Sequence, residues 1–204
     1  MNHTSHDISS TFEYKVLRHY LLVALELNGI NGELDKIHLS GKGSELSNCL
    51  KLAHQSMERS CVRLTKCILN HIGLRGLVWI APTLNLRFIT PKSFIKSSDK
   101  ALSWQFCGHP VHIDSIYNVA INNKNLWIPF TDIHEDNSLI LHHKKDDERL
   151  VGKAGLAHLF DSDIPHETVV ESEDRTRITL TLRFCTSKPM FRQKNVIKYK
   201  LCLV

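Results

Sequence analysis

The sequence predicts an α+β chain, helices first and then a β-sandwich or barrel. Two observations lead there. Up to about residue 71, apolar residues recur at spacings of three and four, the rhythm of a helix face. After Gly76 the rhythm changes to short β-branched or aromatic runs that often alternate and are punctuated by turn residues. A third observation concerns content. Thirteen of 204 residues are histidine, a large share for a side chain that ligates metals and titrates near neutral pH.

The elements follow in order. Residues 11–27 place Phe12, Val16, Tyr20, Val23, Ala24 and Leu27 on one face, and Asn28-Gly29 ends that helix. A second helix is expected from about Glu45 to His71, carried by Leu46, Leu50, Ala53, Met57, Leu64 and Ile68 and stopped at Gly73. Residues 1–75 are thus expected to form a helical region packed on a core of residues 76–204, one domain overall. Strands are expected in "LVWIAP", "LRFIT", "ALSWQFC", "LWIPFT", "SLILHH", "GLAHLF", "HETVVES", "TRITLTLRF" and "VIKYKLCLV". Turns fall at Pro82, Pro91, Gly108, Asn122-Asn123, Asp146-Asp147, Gly152, Asp161 to Asp163, Glu173-Asp174 and Pro189.

Composition narrows the function classes. Apolar residues at 42% and charged residues at 23% fit a globular protein. The net charge of +5 is scattered, apart from a loose run in the tail, so a clustered nucleic-acid-binding face is not expected. No apolar run approaches the ~18 residues of a membrane helix. The polar start "MNHTSHDISS" has no signal-peptide pattern, and the six cysteines form no CxxC pair. They read as buried thiols of a cytoplasmic protein.

The stretch "GHPVHIDSIYN", residues 108–118, raises a metal hypothesis. On a strand, positions i and i+2 face the same side, ~6.5 Å apart, so His112 and Asp114 can converge on one ion while Val111 and Ile113 face away. The plain alternative is a surface turn after Gly108. A third ligand must come from elsewhere. His142 and His143 are adjacent and lie in a Lys/Asp-rich stretch, His134 sits in the turn "DIHEDN", and His158 in "GLAHLF" reads as a core histidine. His166 is favoured by the residues on its C-terminal side. "HETVVESEDRTRITLTLRF" reads as a hairpin that pairs His166 directly with Arg177, ~4.5–5.5 Å apart on the same face. Thr179 and Thr181 continue that face, and Ile178, Leu180, Leu182 and Phe184 form the other. An inward arginine is costly unless it meets an anion. A carboxylate-bearing ligand would satisfy it through the two-pronged guanidinium geometry.

An HxD triplet, a distant histidine and an arginine eleven residues later, followed at the second position by threonine, together resemble the Fe(II)/2-oxoglutarate-dependent oxygenases. "NLWIPFTDIHEDNSLILHH" is similar to a segment of the phytanoyl-CoA hydroxylase-like branch. The resemblance covers about residues 100–185 and departs where relatives often carry P-G-S-H and this chain has "HHKKDD". It implies a double-stranded β-helix, or jelly roll, braced by the N-terminal helices. It implies His112, Asp114 and His166 as the iron triad, Arg177 on the far carboxylate of 2-oxoglutarate, and Thr179 beside it. The reaction implied is O2-dependent hydroxylation of an unactivated C–H bond in a small molecule, with release of succinate and CO2. A secondary metabolite, amino acid or sugar derivative is the substrate class expected by analogy. Asp114 matters here, since related halogenases carry a small residue in its place.

Other residues carry weaker expectations. Gln105 alternates with Ser103 and Cys107, and is read as a cosubstrate contact or a structural hydrogen bond. His109 and Asn118 flank the triad. Trp127 belongs to the core or the pocket wall, Tyr117 to the pocket mouth, and Arg183 to an anionic substrate or to solvent. Two other functions stay open: a cupin-like metal protein without 2-oxoglutarate, and a non-enzymatic jelly-roll binding domain.

Overall fold

The computed structural model describes residues 3–40, 43–58, 60–97, 108–117, 119–192 and 197–204. The expected strand at "ALSWQFC", with Gln105, lies outside the described residues, as does Asn118. The chain runs β1 (His3–Asp7), α1 (Phe12–Glu26), α2 (Gly43–Glu58), α3 (Cys61–His71), β2 (Leu77–Ile80), β3 (Asn85–Ile89), α4 (Lys92–Ser97), β4 (Lys124–Pro129), β5 (Leu139–His142), β6 (Asp147–Leu150), β7 (Leu156–Asp161), β8 (His166–Thr168), β9 (Arg177–Cys185) and β10 (Lys200–Leu203). Two antiparallel sheets form. The major sheet is ordered β1-β7-β4-β9-β2-β10, with β3 also on β9, and the minor one is β6-β5-β8.

Three layers result. The helices lie on the outside of the major sheet. Ile178, Leu180, Leu182 and Phe184 of β9 join Tyr14, Leu17 and Leu21 of α1 and Ile68 of α3 in one apolar core. A smaller cluster, including Trp127, Leu139, Leu141 and Phe160, lies between the two sheets. The alternation of β9 is therefore the one its sequence predicts: aliphatic side chains toward the helices, Arg177, Thr179, Thr181 and Arg183 toward the other sheet. No helix among the described residues is long and apolar enough to cross a membrane.

Three sequence expectations are corrected. First, α1 buries Tyr14, Leu17, Leu21, Ala24 and Leu25, whereas Phe12 is 76% and Leu27 81% exposed. The helix carries two apolar stripes, and the inner one has an extra tie: the Tyr14 hydroxyl donates to the Pro129 carbonyl and its ring stacks on Phe130. Second, the single helix over Glu45 to His71 is two helices, with no proline or glycine at the junction to mark it. Third, the polar N-terminal residues form β1, an edge strand on β7.

Candidate active site

Strand register places the inward row of the site. Ser5, His158, Trp127, Thr181 and Asn85 align across β1, β7, β4, β9 and β3. Two residues along, Phe160, Asn125 and Arg183 align, and two in the other direction so do Pro129, Thr179 and Arg87. Successive rows face the same side because the strand period is two.

The minor sheet supplies the histidines. His112 and His166 form an antiparallel bridge, each backbone N–H donating to the other's carbonyl at 3.0 and 2.8 Å. Their rings lie 4.4 Å apart. Asp114 is not on a strand with His112, as the triplet suggested; it opens a 3-10 turn, Asp114–Tyr117, anchored by its N–H on the Ser162 carbonyl. Bridge and turn still bring one ligand atom from each of His112, Asp114 and His166 to within 4.8 Å of one another.

The hydrogen bonds around this triad fix which atoms face inward. His112 Nδ1 lies 2.8 Å from the Pro110 carbonyl and His166 Nδ1 lies 2.8 Å from the Ile164 carbonyl. A carbonyl only accepts, so each Nδ1 carries the proton and each Nε2 keeps its lone pair. Both Nε2 atoms are 3.8 Å from Asp114 Oδ1, and His112 Nε2 is buried without a hydrogen bond. The other oxygen, Oδ2, accepts from Asn125 Nδ2 at 2.6 Å and lies 3.6 Å from Arg183 Nη2. Burial alone would raise the Asp114 carboxyl, but Arg183, His166, the Asn125 hydrogen bond and His112 together hold it below the usual carboxylate range. Burial lowers His166, with Asp114 opposing. Three acceptor atoms thus face one another with no proton between them, which is the donor set that a divalent cation fits.

Arg177 lies in the same cavity, though not by the predicted route. His166 pairs with Leu141 of β5, and Arg177 pairs with Ile89 of β3, so the two are on opposite sheets and not in a hairpin. The segment between them is held elsewhere: Val169, Glu171 and Thr176 donate their N–H groups to the carbonyls of Ser138, Asp136 and Asp35. With those backbone groups satisfied by other loops, a tight β-turn has nothing to gain. Arg177 is only 1% exposed. Its Nη1 donates to the carbonyls of Asn137 and Ser138, its Nη2 to Thr168 Oγ1, and the guanidinium lies 5.6 Å over the Trp127 ring. Its Nε is buried without an acceptor, and among the described residues no carboxylate is within ion-pair distance. Burial, with Arg87 adding to it, brings its pKa down to about 9, so it stays charged at neutral pH.

The remaining expected residues separate clearly. The Thr179 hydroxyl is buried without a partner, although Thr179 does not line the cavity. Trp127 forms inner wall. Tyr117, half exposed, lies edge-on to the rings of His109 and His112. His158 is a core histidine held by His3 and Ser5, and burial brings it down to about 4. His142 and His143 pair with surface carboxylates, and His134 accompanies the 3-10 turn at Glu135–Asn137. Sequence reasoning missed Arg87, Asn125 and Thr168. For Arg87 a signal existed, since Leu86 and Phe88 on one face turn it to the other.

Two chambers meet at Asp114. The inner one has room for only about 30 Å³ and reaches Arg177, Thr168 and Trp127. The outer one, about 450 Å³, is bounded by His54, Leu84, His109, Tyr117, Val119 and Ile197. Asn85, Arg87, Asp114 and Arg183 line both.

No protein-family model and no curated protein sequence matches the chain. Solved structures do. EctD from S. alaskensis with bound Fe superimposes with a TM-score of 0.54 at 14% identity, over 95% of this chain and 78% of that one. The non-heme monooxygenase ThoJ in its Ni complex gives 0.52 at 13%, over 94% and 76%. The non-heme alpha-ketoglutarate-dependent epimerase SnoN from nogalamycin biosynthesis gives 0.52 at 10%, over 98% and 93%. At such identities the likeness is one of fold. The chain has a double-stranded β-helix fold like these three structures, with helices packed on its major sheet, and none of the three singles out the phytanoyl-CoA hydroxylase-like branch.

Proposed function

We propose that the chain is an Fe(II)- and 2-oxoglutarate-dependent oxygenase that hydroxylates an unactivated C–H bond of a small molecule. One observation carries the reading. A triad of facing acceptor atoms and a buried arginine with no carboxylate partner among the described residues border the same cavity. A metal site alone has no need of the arginine, and a binding domain needs neither.

In this reading His112, Asp114 and His166 hold the iron through two imidazoles and one carboxylate, leaving positions open for ligands. When bound, Fe(II) with 2-oxoglutarate and O2 supplies an oxidant strong enough to attack a C–H bond, and the cosubstrate leaves as succinate and CO2. The protein's part is to hold and orient. Pro110 and Ile164 set the two imidazole tautomers, and Asn125 fixes Asp114. Arg177 takes the far carboxylate of 2-oxoglutarate, with the Thr168 hydroxyl as a neighbouring donor and the Trp127 ring against the guanidinium; Thr179 is assigned to the cosubstrate side on its sequence pattern alone. Gln105 is assigned to the cosubstrate side on its sequence pattern alone. The carboxylate at Asp114, where related halogenases carry a small residue, favours hydroxylation over halogenation. The outer chamber receives the substrate, and no nucleic acid or membrane is part of the scheme.

The test is turnover without a known substrate. Protein loaded with Fe(II) in air, with ascorbate supplying the two electrons per turnover that a substrate would otherwise give, should convert 2-oxoglutarate slowly to succinate, stop when the metal is chelated and resume when Fe(II) is restored. Metal binding without succinate would point to a cupin-like metal protein, and the absence of metal binding to a binding domain.

A further inference from the structure

The tail of the chain reaches the metal site through a row of hydrogen bonds. The Tyr199 hydroxyl donates to Asn123 Oδ1 at 3.0 Å, Asn123 Nδ2 donates to Asn125 Oδ1 at 3.1 Å, and Asn125 Nδ2 donates to Asp114 Oδ2 at 2.6 Å. Both asparagines are buried. Each link forces the direction of the next. The Asp114 carboxyl, held ionised, only accepts, so Asn125 must turn its amide nitrogen toward it. Asn125 Oδ1 is then left as an acceptor, so Asn123 must also present its nitrogen. Asn123 Oδ1 is left to accept in turn, and among the described residues the side chain that donates to it is Tyr199. Burial, with Cys185 adding to it, raises the phenol above its usual range, so it keeps the proton it gives. The Ala120 backbone hydrogen-bonds to the phenolic oxygen from another side. The tail is itself well held. Asn122 donates to Ser187 Oγ and to the Lys188 carbonyl and accepts from the Met190 N–H, and Phe191 lies edge-on to the Tyr199 ring. Ile197, on the same stretch, walls the outer chamber. Phe191, Ile197 and Tyr199 all lie past about residue 185, where the resemblance to the oxygenases ends.

We propose that Tyr199 is a positioning residue for the metal, resting on the proposed function in that the triad is the metal site. Its hydroxyl sets the orientation of both amides, so that Asn125 ties down Asp114 Oδ2 and leaves Oδ1 facing the two histidines, 3.8 Å from each Nε2. An asparagine amide has two orientations of nearly the same shape and opposite polarity. Without the hydroxyl, Asn123 Oδ1 is left without its donor, and Asp114 alone biases the row. Turned over, Asn125 would face the carboxylate with an oxygen, and Asp114 would lose the bond that fixes it. Metal binding would then have to restore the productive orientation, which lowers the apparent affinity.

A double-mutant cycle in the full chain tests this. Fe(II) affinity is measured anaerobically and without cosubstrate, by competition with a fluorescent chelator, for wild type, Tyr199→Phe, Asn125→Ala and the double variant. Tyr199→Phe keeps the ring against Phe191 and removes the hydroxyl alone. It should weaken Fe(II) about three- to tenfold. In Asn125→Ala the link to Asp114 is already cut, so the same change should add no further loss, to within about twofold. A hydroxyl that only fastens the tail predicts otherwise: either no change in Fe(II) affinity, or the same loss in both backgrounds. Either outcome overturns the proposal. Asn123→Ala reads the middle link independently of any change in the tail. It should weaken Fe(II) at least as much as Tyr199→Phe and likewise lose its effect in Asn125→Ala; an additive loss there overturns the proposal as well. Absence of Fe(II) binding in wild type would overturn the metal site and the oxygenase reading, and the role of Tyr199 with them. Wild-type binding beside an unaffected Tyr199→Phe removes the role of Tyr199 alone, so the two failures are distinct.

Discussion

The two faces of β9 are both largely buried and chemically opposite. Toward the helices, Ile178, Leu180, Leu182 and Phe184 are all 0% exposed in a continuous apolar core. Toward the minor sheet, Arg177 and Thr179 are 1% exposed, with Thr181 and Arg183 on the same face. The outer face lowers the free energy of the fold at roughly 25 cal/mol per Å² of apolar surface removed from water. The inner face does the reverse: buried guanidiniums and an unpaired hydroxyl oppose folding unless something charged meets them. A strand that buries charge on one side needs the other side to be very well packed, and the three helices provide that packing. Stability and function therefore divide between the two faces of one element, and substitutions should separate them.

The largest effect expected is on the inner side. His166→Ala should reduce Fe(II) binding to below detection and end 2-oxoglutarate turnover, while thermal unfolding of the metal-free protein changes little. Competition with a fluorescent chelator reads the first, and calorimetry the second. A variant that unfolds, or that keeps wild-type iron affinity, would remove the division drawn here. The mirror experiment on the outer face is Leu180→Ala. Truncating this fully buried side chain should destabilise by about 2–5 kcal/mol in urea unfolding, yet the folded fraction should keep its iron affinity.

Acid should expose a further cost of inner-face burial. His158 titrates near 4 when folded, because of its burial, against a reference of 6.5. The unfolded chain then binds the extra proton first, so stability is full above about pH 6.5 and falls as pH drops toward 4. The loss is on the order of 3 kcal/mol from this residue at most. His109, also brought to about 4 by burial and Arg87, acts in the same direction. His158→Gln should make the fall in unfolding midpoint between pH 7 and 4.5 shallower; an unchanged slope would show that the imidazole is not what resists acid. The smallest of these effects is expected at Asn125, which touches Asp114 and no other group of the triad. Asn125→Ala should weaken Fe(II) roughly 10- to 100-fold without abolishing binding.

The same comparison shows what the sequence made legible. Residue alternation in "TRITLTLRF" placed both faces of β9, because a strand buried on both sides with aliphatic residues on one face and polar ones on the other has one way to sit. His112, Asp114, His166 and Arg177 were found by their order along the chain, and all four line one cavity. The route that joined His166 to Arg177 was wrong. Nothing local distinguishes a hairpin from two strands that part into different sheets; that depends on Ser138, Asp136 and Asp35 claiming the backbone between them. The face of α1 was misread for a related reason, since two stripes fit one period and the hydrogen bond from Tyr14 to Pro129 is a tertiary fact. Arg87 was legible from Leu86 and Phe88 on the opposite face, whereas Asn125 was not, because an asparagine beside Leu126 and Trp127 says which side it faces only after its partners are known. The site's chemistry was thus readable from residue types and order, while its supports were set by sheet register.

Arg177 tests the central claim most directly. Anaerobic titration of 2-oxoglutarate into the Fe(II) protein, followed by its metal-to-ligand charge-transfer band, gives the affinity. Arg177→Leu should weaken it by about 2–5 kcal/mol, roughly 30- to 5,000-fold, and Arg177→Lys should weaken it less, since the charge survives without the two-pronged geometry. Iron affinity measured without cosubstrate should stay at the wild-type value in both variants, showing that the triad is still assembled. Unchanged 2-oxoglutarate affinity in Arg177→Leu, with iron still bound, would contradict the account and leave a metal site without a cosubstrate clamp.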